Sequence, residues 1–298
     1  MKHEVVGDRG EAAERRSAEG FNRSHSVGCR VFYWLGLRRG GPSGRGKTLA
    51  AAEVRPGPRA GVMVRTESGS PEFVPLSHLE PVRSRFVVFA GADGCGKDEQ
   101  ARRFSQHLSA RGVDNWLTGE PWTSQYGMMI REALRERSAG EIDPAEMAML
   151  FALDRKVHLR EVERRLASGS WVVGTRYVES SVVYQGAQLE AAGFAGGTAW
   201  VLELNRLFRL PDVTYLLEVP REDALSRVSS RGLPDAYERD EELRRMVAER
   251  YGRLEELMPG GDVVRIDGSG RPEDVAARVA GRAKGLIDAS LAFAGAGR

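Results

Sequence analysis

The sequence has little cysteine and no long apolar run, and each absence narrows what the chain can be. Only Cys29 and Cys95 occur among its 298 residues, and they show no CxxC spacing. Neither a disulfide framework nor a zinc site is therefore expected. No run of about 18 apolar residues, the length that can cross a bilayer, is present, and the N-terminal segment lacks the apolar part of a secretory signal. We expect a cytoplasmic protein with no membrane partner.

The net charge is also small. The chain has 44 Lys and Arg against 42 Asp and Glu, a formal net charge of +2, and the slight basic excess lies in residues 1–84. Such an excess gives no strong indication of nucleic-acid binding, which normally needs a clustered basic surface. The 29% of charged and 41% of hydrophobic residues describe a globular protein. A chain of 298 residues has room for two domains.

The sequence pattern changes along the chain and predicts its domains. Residues 1–26 are polar without periodic apolar positions, so we expect a disordered arm. Residues 27–84 hold short β-favouring runs between Gly, Pro and Ser clusters, which is typical of a small SH3-like barrel. Strand and helix patterns alternate through residues 85–288. This alternation predicts an α/β domain with a doubly wound parallel sheet and helices on both faces, followed by a tail at residues 289–298.

Two stretches fit the phosphate-loop pattern GxxxxGK[ST], one fully and one nearly. GPSGRGKT, residues 41–48, fits every position, but Pro56 and Pro58 leave little room for a helix after it, so we interpret it as a basic hairpin loop. GADGCGKD, residues 91–98, misses only the final hydroxyl. It follows the apolar run RFVVFAG and precedes a helical pattern. Strand, glycine loop and helix is the order that a phosphate loop requires, so the second stretch is predicted to bind nucleotide.

The chemistry of this loop assigns its candidate residues. Backbone N–H groups and the helix N-terminus face the phosphates, and Lys97 reaches the β and γ phosphates of ATP. Cys95 has two interpretations: a thiol whose pKa is lowered by its surroundings, or a small residue that fills the loop. The candidate ATP-phosphate residues are Gly91, Gly94, Cys95, Gly96, Lys97, Asp98 and Glu99.

Further motifs follow the glycine loop in a fixed order. GADGCGK is followed by MLFALDR, TRYVESSVVYQG, WVLELNR and PDVTYLLEVP. The ordered set resembles the thymidylate kinases, P-loop nucleoside monophosphate kinases, over about residues 85–280. The resemblance implies a phosphotransferase that moves the γ-phosphoryl group of ATP to a pyrimidine nucleoside monophosphate, in particular dTMP to dTDP, with Mg²⁺. It also implies a homodimer.

The resemblance assigns residues to the acceptor side. Asp93 would accept a hydrogen bond from the 3′-hydroxyl of the acceptor sugar. Phe151 would stack on the base, and Arg155, four residues on and on the same helix face, would reach the base edge. The other implied acceptor residues are Glu120, Tyr177, Ser180, Ser181, Tyr184 and Gln185.

The resemblance also implies four catalytic residues. Arg176 would grip the acceptor phosphate through its guanidinium fork. Arg227 and Arg231 fall where the family has a mobile lid whose arginines close on the transferred phosphoryl group. With Lys97, these arginines neutralise charge, which is most of what phosphoryl transfer asks of a protein.

Three positions depart from the family pattern. Asp98 replaces the loop hydroxyl that contacts Mg²⁺, Thr175 replaces the acid of the DRY motif, and Gly119 replaces the arginine of the REP motif. Since a carboxylate and a hydroxyl have changed places, we hypothesise that Asp98 and Thr175 still serve Mg²⁺ together. Two alternatives stay open. An uncompensated charge at Asp98 would leave a P-loop protein that binds without catalysis, and Gly119 would suit a kinase with an altered acceptor.

Overall fold

The computed structural model describes residues 84–137, 141–229, 234–259 and 261–295, together with the backbone of short strands before them. The chain divides into two compact units. One is Ser84–Arg282, and the other comprises Met1–Arg83 and Ala283–Arg298. In the described part of the chain, no helix is both long enough and apolar enough to span a bilayer.

The described strands of the N-terminal unit form two small antiparallel sheets. β2, β3 and β4 pair in that order, and β1 pairs with β5. A barrel requires its strands to close into one sheet, so the described residues do not support the expected SH3-like barrel. The arm expected at residues 1–26 and the hairpin loop expected at 41–48 lie outside the described residues. The strands are Leu37–Arg39 (β1), Val54–Arg55 (β2), Gly61–Arg65 (β3), Pro71–Pro75 (β4) and Leu79–Pro81 (β5).

The unit Ser84–Arg282 is built on a five-stranded parallel sheet, with the strand order β10-β9-β6-β8-β7. This confirms the parallel α/β sheet expected from the alternating pattern. The strands are Phe86–Ala90 (β6), Asn115–Gly119 (β7), Trp171–Thr175 (β8), Val213–Glu218 (β9) and Val263–Asp267 (β10).

The helices lie between and after these strands. The longest helix before the C-terminal one, α3, starts after Asp143, whose carboxylate accepts hydrogen bonds from the N–H groups of Ala145 and Glu146. The described helices are Lys97–Ala110 (α1), Gln125–Glu136 (α2), Pro144–Ala167 (α3), Val178–Ala191 (α4), Gly197–Asn205 (α5), Arg221–Ser229 (α6), Ala236–Arg239 (α7), Glu241–Gly252 (α8), Leu254–Leu257 (α9) and Pro272–Gly295 (α10).

Apolar side chains of β6 are buried on both faces of the sheet, as a strand between two helical layers requires. Successive side chains of a strand point to opposite faces. Phe86 and Val88 belong to one apolar cluster. Phe89 points the other way and packs on Phe104 of α1 and Tyr215 of β9, with ring centroids 5.7 and 5.4 Å apart.

The carboxyl ends of β6, β7 and β8 are tied together at one edge of the sheet. The N–H of Arg176, after β8, donates to the carbonyl of Phe89 at 3.2 Å, and the N–H of Glu120, after β7, donates to the carbonyl of Thr175 at 3.0 Å. In open parallel sheets, ligands bind at this edge, where connections diverge from a central strand. The edge brings together the glycine loop, the loop at Glu120 and the turn at Arg176.

Candidate active site

The loop between β6 and α1 has a backbone that glycine permits. Gly91, Gly94 and Gly96 have φ values of 139°, 82° and 92°, which L side chains rarely adopt. Lys97 begins α1, and its side chain is only 3% exposed. Its Nζ lies 3.2 Å from Oδ1 of Asp93. The ammonium group is therefore held within the loop rather than extended into solvent.

Gly94 also packs against α6 more closely than a side chain would allow. A Cβ at this position would lie 2.2 Å from the carbonyl oxygen of Ala224. We expect Gly94→Ala to lower the free energy of unfolding by about 3 kcal/mol, because it combines overpacking with a left-handed backbone. Gly112→Ala is the matched control, since its φ is 74° but nothing lies within 4 Å of the added Cβ. Chemical denaturation compares the two variants, and equal losses would contradict the steric argument.

Asp93 connects the glycine loop to the neighbouring strand and helix. Its Oδ1 accepts a hydrogen bond from the guanidinium of Arg176, and its Oδ2 accepts one from the hydroxyl of Tyr184 at 2.7 Å. Burial works to raise the pKa of Asp93, but the charges of Arg176 and Lys97 outweigh it and hold that pKa well below its usual range. The carboxylate is therefore ionised between two cations.

Arg176 occupies a strained turn between β8 and α4. Among the described residues it alone has a positive φ without being glycine, at 60°. Backbone strain of this kind costs on the order of 1–3 kcal/mol and concentrates at functional sites. The following amide, the N–H of Tyr177, donates to Oε1 of Glu179 at 2.8 Å. Glu179 thus fixes the turn from the helix side.

Glu179 is only 2% exposed, and this burial raises the pKa of its carboxyl to about 7. Because the folded chain keeps the proton longer than the unfolded chain, stability falls as pH rises from the ordinary value of 4.5 to about 7. Glu179→Gln still offers an acceptor to the N–H of Tyr177 but cannot ionise. We expect its stability to rise relative to that of the parent by about 2 kcal/mol between pH 5 and pH 8. Urea denaturation at both pH values measures the change, and a constant difference would contradict it.

A cavity of about 600 Å³ opens beside Asp93. Its size suits a small-molecule ligand, for which pockets of roughly 300–1,000 Å³ are usual. Arg176 lines it, and so does every residue that the resemblance assigns to the acceptor. These are Asp93, Glu120, Phe151, Arg155, Tyr177, Ser180, Ser181, Tyr184 and Gln185.

Arg155 lies in the cavity wall in one fixed orientation. It is 1% exposed, its Nε donates to Oε2 of Glu120 at 2.9 Å, and its Nη2 forms an ion pair with the same oxygen at 2.8 Å. Nη2 also donates to Oγ of Ser181 at 3.1 Å, and Nη1 donates to Oδ1 of Asn205. The guanidinium carbon lies 5.0 Å from the ring centroid of Tyr177. Sequence reasoning missed Asn205, although it lies in the quoted WVLELNR motif.

Sequence reasoning also missed part of the cavity wall. Arg131 of α2 donates to the carbonyl oxygens of Pro121 and Trp122 at 2.7 and 3.0 Å. Tyr237 of α7 stacks on Tyr184, with ring centroids 5.8 Å apart. The other missed lining residues are Pro121, Leu134, Arg135, Pro234, Asp235 and Arg239.

The three departing positions lie in two places. Asp98 is exposed in the first turn of α1, beside Glu99, whose carboxylate pairs with Arg103 at 2.6 Å. Thr175 lies opposite Gly119 in the sheet register. A Cβ at position 119 would lie 2.5 Å from Oγ1 of Thr175. The departures at Gly119 and Thr175 are therefore packed against each other, and a larger residue at 119 requires this threonine to move.

Three candidates remain, one in the glycine loop and two in the expected lid: Cys95, Arg227 and Arg231. Cys95 is buried, and burial raises the pKa of its thiol, which favours the interpretation as a small loop-filling residue. The guanidinium of Arg227 reaches back from α6 to the loop, where its Nη1 lies 3.4 Å from the carbonyl oxygen of Gly94. Arg231 lies outside the described residues.

Comparison with known proteins gives consistent matches. The family model described as thymidylate kinase matches residues 89–279. The chain is 36% identical over 169 residues to "Probable thymidylate kinase" of Caldivirga maquilingensis, covering 56% of this chain and 79% of the relative. Proteins of the same name from Thermococcus kodakarensis and Methanococcus vannielii are 34% and 33% identical, over 58% and 64% of this chain and 85% and 91% of theirs. The family match contains the glycine loop and every described lining residue of the cavity.

Proposed function

The chain belongs to the thymidylate kinase family, and on this premise we propose that it transfers the γ-phosphoryl group of ATP to a pyrimidine nucleoside monophosphate, converting dTMP to dTDP. The position of Asp93 is the observation that carries the proposal. One carboxylate contacts Lys97 of the glycine loop and both Arg176 and Tyr184 of the cavity wall. Donor and acceptor phosphates bound at these two places would meet at one point, and such positioning supplies much of the rate of phosphoryl transfer.

Substrate binding would exchange the partners of Asp93. Lys97 and Arg176 would leave the carboxylate of Asp93 and bind phosphate oxygens, because both cations pair strongly with phosphate. The released carboxylate would then accept a hydrogen bond from the sugar 3′-hydroxyl. Phe151 would stack on the base, and Arg155 would face the base edge from its fixed place in the wall. The lid arginines would close over the donor.

Mg²⁺ belongs to the proposed reaction, and its candidate ligands on this chain are the carboxylate of Asp98 and the hydroxyl of Thr175. In the described part of the chain, no three His, Cys, Asp or Glu side chains form a metal cluster. Asp98 is exposed and makes no ion pair with described residues. One carboxylate and the hydroxyl of Thr175 suit an ion that takes its other ligands from phosphates and water, as Mg²⁺ does. When bound, the ion neutralises charge on the β and γ phosphates.

If a carboxylate and a hydroxyl have changed places at positions 98 and 175, the effects of substitutions at these two positions on kcat/KM should not be additive. We expect Asp98→Ser and Thr175→Asp each to lower the Mg²⁺-dependent kcat/KM about tenfold, since each leaves two like ligands in place of a mixed pair. The double variant, with the family's own arrangement, should recover to within about threefold of the parent. Steady-state kinetics over a series of Mg²⁺ concentrations measures this. Additive losses in the double variant would reject the exchange.

A coupled ADP-release assay tests the proposed function against its alternatives. dTMP, dUMP, CMP, AMP and GMP are offered with ATP, with and without Mg²⁺. Preferential turnover of dTMP supports the proposal. Turnover of a different acceptor alone would favour the altered kinase to which Gly119 points. ATP binding without turnover of any acceptor would favour the binding protein to which Asp98 points.

A further inference from the structure

We propose that His158 and Thr118 are positioning residues, which hold Glu120 and through it Arg155 in the orientation that meets the acceptor base. The kinetic consequence rests on the proposed function. The state of the histidine ring can be measured independently of any reaction.

The residues form a continuous chain of contacts behind the cavity wall. His158 lies on α3 and is 2% exposed. Its Nε2 lies 2.8 Å from Oγ1 of Thr118 on β7, and its Nδ1 lies 3.2 Å from Oε1 of Glu120. The other oxygen of Glu120 holds Arg155. Each oxygen of the Glu120 carboxylate thus has its own partner. By holding Oε1, His158 fixes the rotation of the carboxylate and so the position of Oε2, which binds Arg155.

The chemistry of these groups gives the hydrogen bonds a direction. An ionised carboxylate only accepts, so Nδ1 of His158 must carry its hydrogen and donate to Glu120. In a neutral ring Nε2 is then an acceptor, and the hydroxyl of Thr118 donates to it. The hydroxyl of Thr118 therefore supplies the donor that the unprotonated Nε2 of this tautomer needs.

Two indole rings hold the imidazole in its plane. Trp122 stacks on His158 with ring centroids 5.2 Å apart and an interplanar angle of 23°. Trp116 meets it edge-on at 5.7 Å and 65°. The two indoles therefore oppose rotation of the imidazole out of its plane, and the hydrogen bonds to Thr118 and Glu120 set the positions of its nitrogens within that plane.

The geometry separates the proposed positioning residues from the cavity itself. Among the described residues of this contact chain, Glu120 and Arg155 line the cavity, whereas Thr118 and His158 do not. An effect of Thr118 on acceptor binding would therefore have to pass through the ring and the carboxylate. Small displacements of a positioned group are enough to change catalysis by large factors.

Thr118→Val and Thr118→Ser form the sharpest test. Valine keeps the branched shape that suits a strand but lacks the hydroxyl, whereas serine keeps the hydroxyl. We expect Thr118→Val to raise the acceptor KM about fivefold, the change that the loss of one typical hydrogen bond produces, and to leave the ATP KM unchanged. Thr118→Ser should stay within about twofold of the parent. Equal acceptor KM values in the valine variant and the parent would overturn the proposal.

A second pair of variants removes one ring contact at a time. His158→Asn can place an amide N–H near the position of Nδ1, whereas His158→Gln reaches the position of Nε2 and leaves Glu120 without that donor. Both lose the stacked ring equally. We expect the glutamine variant to show the higher acceptor KM by about fivefold, at equal ATP KM. A higher value in the asparagine variant would count against the proposed direction of the contacts.

The ¹⁵N spectrum of the five histidines decides the tautomer in the full chain without substrate. His158→Asn identifies the signals of this ring. The proposal requires hydrogen on Nδ1 and none on Nε2 in the parent, and a shift of the Nε2 signal in Thr118→Val, where this nitrogen loses its hydrogen bond. A parent ring protonated on Nε2, or a valine variant with unchanged signals, would overturn it. If the parent transfers phosphate to no acceptor, the proposed function fails while this measurement still decides the positioning.

Discussion

Replacing Lys97 with alanine is expected to lower kcat for phosphoryl transfer about 1,000-fold while leaving the chain folded. A unit charge about 4 Å from a phosphate oxygen contributes around 4 kcal/mol at an effective dielectric near 20, and this energy corresponds to about three powers of ten in rate. The side chain is buried in the glycine loop, so no solvent cation takes its place readily.

The matched control for this variant is Lys156→Ala. Lys156 is exposed on α3, in the same unit of the chain, and does not line the acceptor cavity. Its replacement should leave kcat within about twofold, because exposed charges contribute little. Rapid-quench measurement of the first turnover separates the chemical step from product release. A loss of less than about tenfold in Lys97→Ala would mean that the loop does not hold the transferred phosphoryl group.

Replacing Arg176 with alanine is expected to lower kcat/KM for the acceptor about 300-fold with little change in the ATP KM. The guanidinium is the cavity-side partner of Asp93, and its loss removes a bidentate phosphate contact in a partly desolvated site. Lys97, which we assign to the donor phosphates, is unchanged in this variant, so acceptor binding should weaken more than ATP binding.

Arg176→Gly separates the charge from the backbone strain. Position 176 has a φ of 60°, which glycine adopts without penalty and alanine does not. The glycine variant should therefore be about 1 kcal/mol more stable than the alanine variant. If the charge matters to the reaction, the two variants should be equally inactive. Kinetics and urea denaturation measure activity and stability for both variants. A more stable glycine variant that is also clearly more active than the alanine variant would contradict the role assigned to the charge.

The strong local patterns of the sequence predicted the parallel sheet. A buried strand, a glycine loop and a helix follow one another around Lys97, and this order determines structure over a short stretch of chain. The ordered motifs then led to a set of acceptor residues that the structure places around one cavity. Short β-favouring runs in residues 27–84 carry no comparable constraint, and the expected barrel is not supported.

Contacts between distant segments could not be read from spacing. Arg131 and Arg135 lie four residues apart and therefore share one face of α2, but nothing in the sequence indicates that this face lines a cavity. Thr175 faces Gly119 because β7 and β8 pair in one particular register. The sequence therefore linked Thr175 to Asp98 and missed its direct partner. The place of Glu120 between His158 and Arg155 joins residues that lie 35 to 38 positions apart.

Incubation of the chain with γ-labelled ATP, dTMP and Mg²⁺ tests the proposed reaction most directly. We predict that the label leaves ATP and appears in dTDP, one dTDP for each ADP, and that Lys97→Ala abolishes its transfer. Label that stays in ATP, or that is released as inorganic phosphate while dTMP is recovered unchanged, would contradict the proposal.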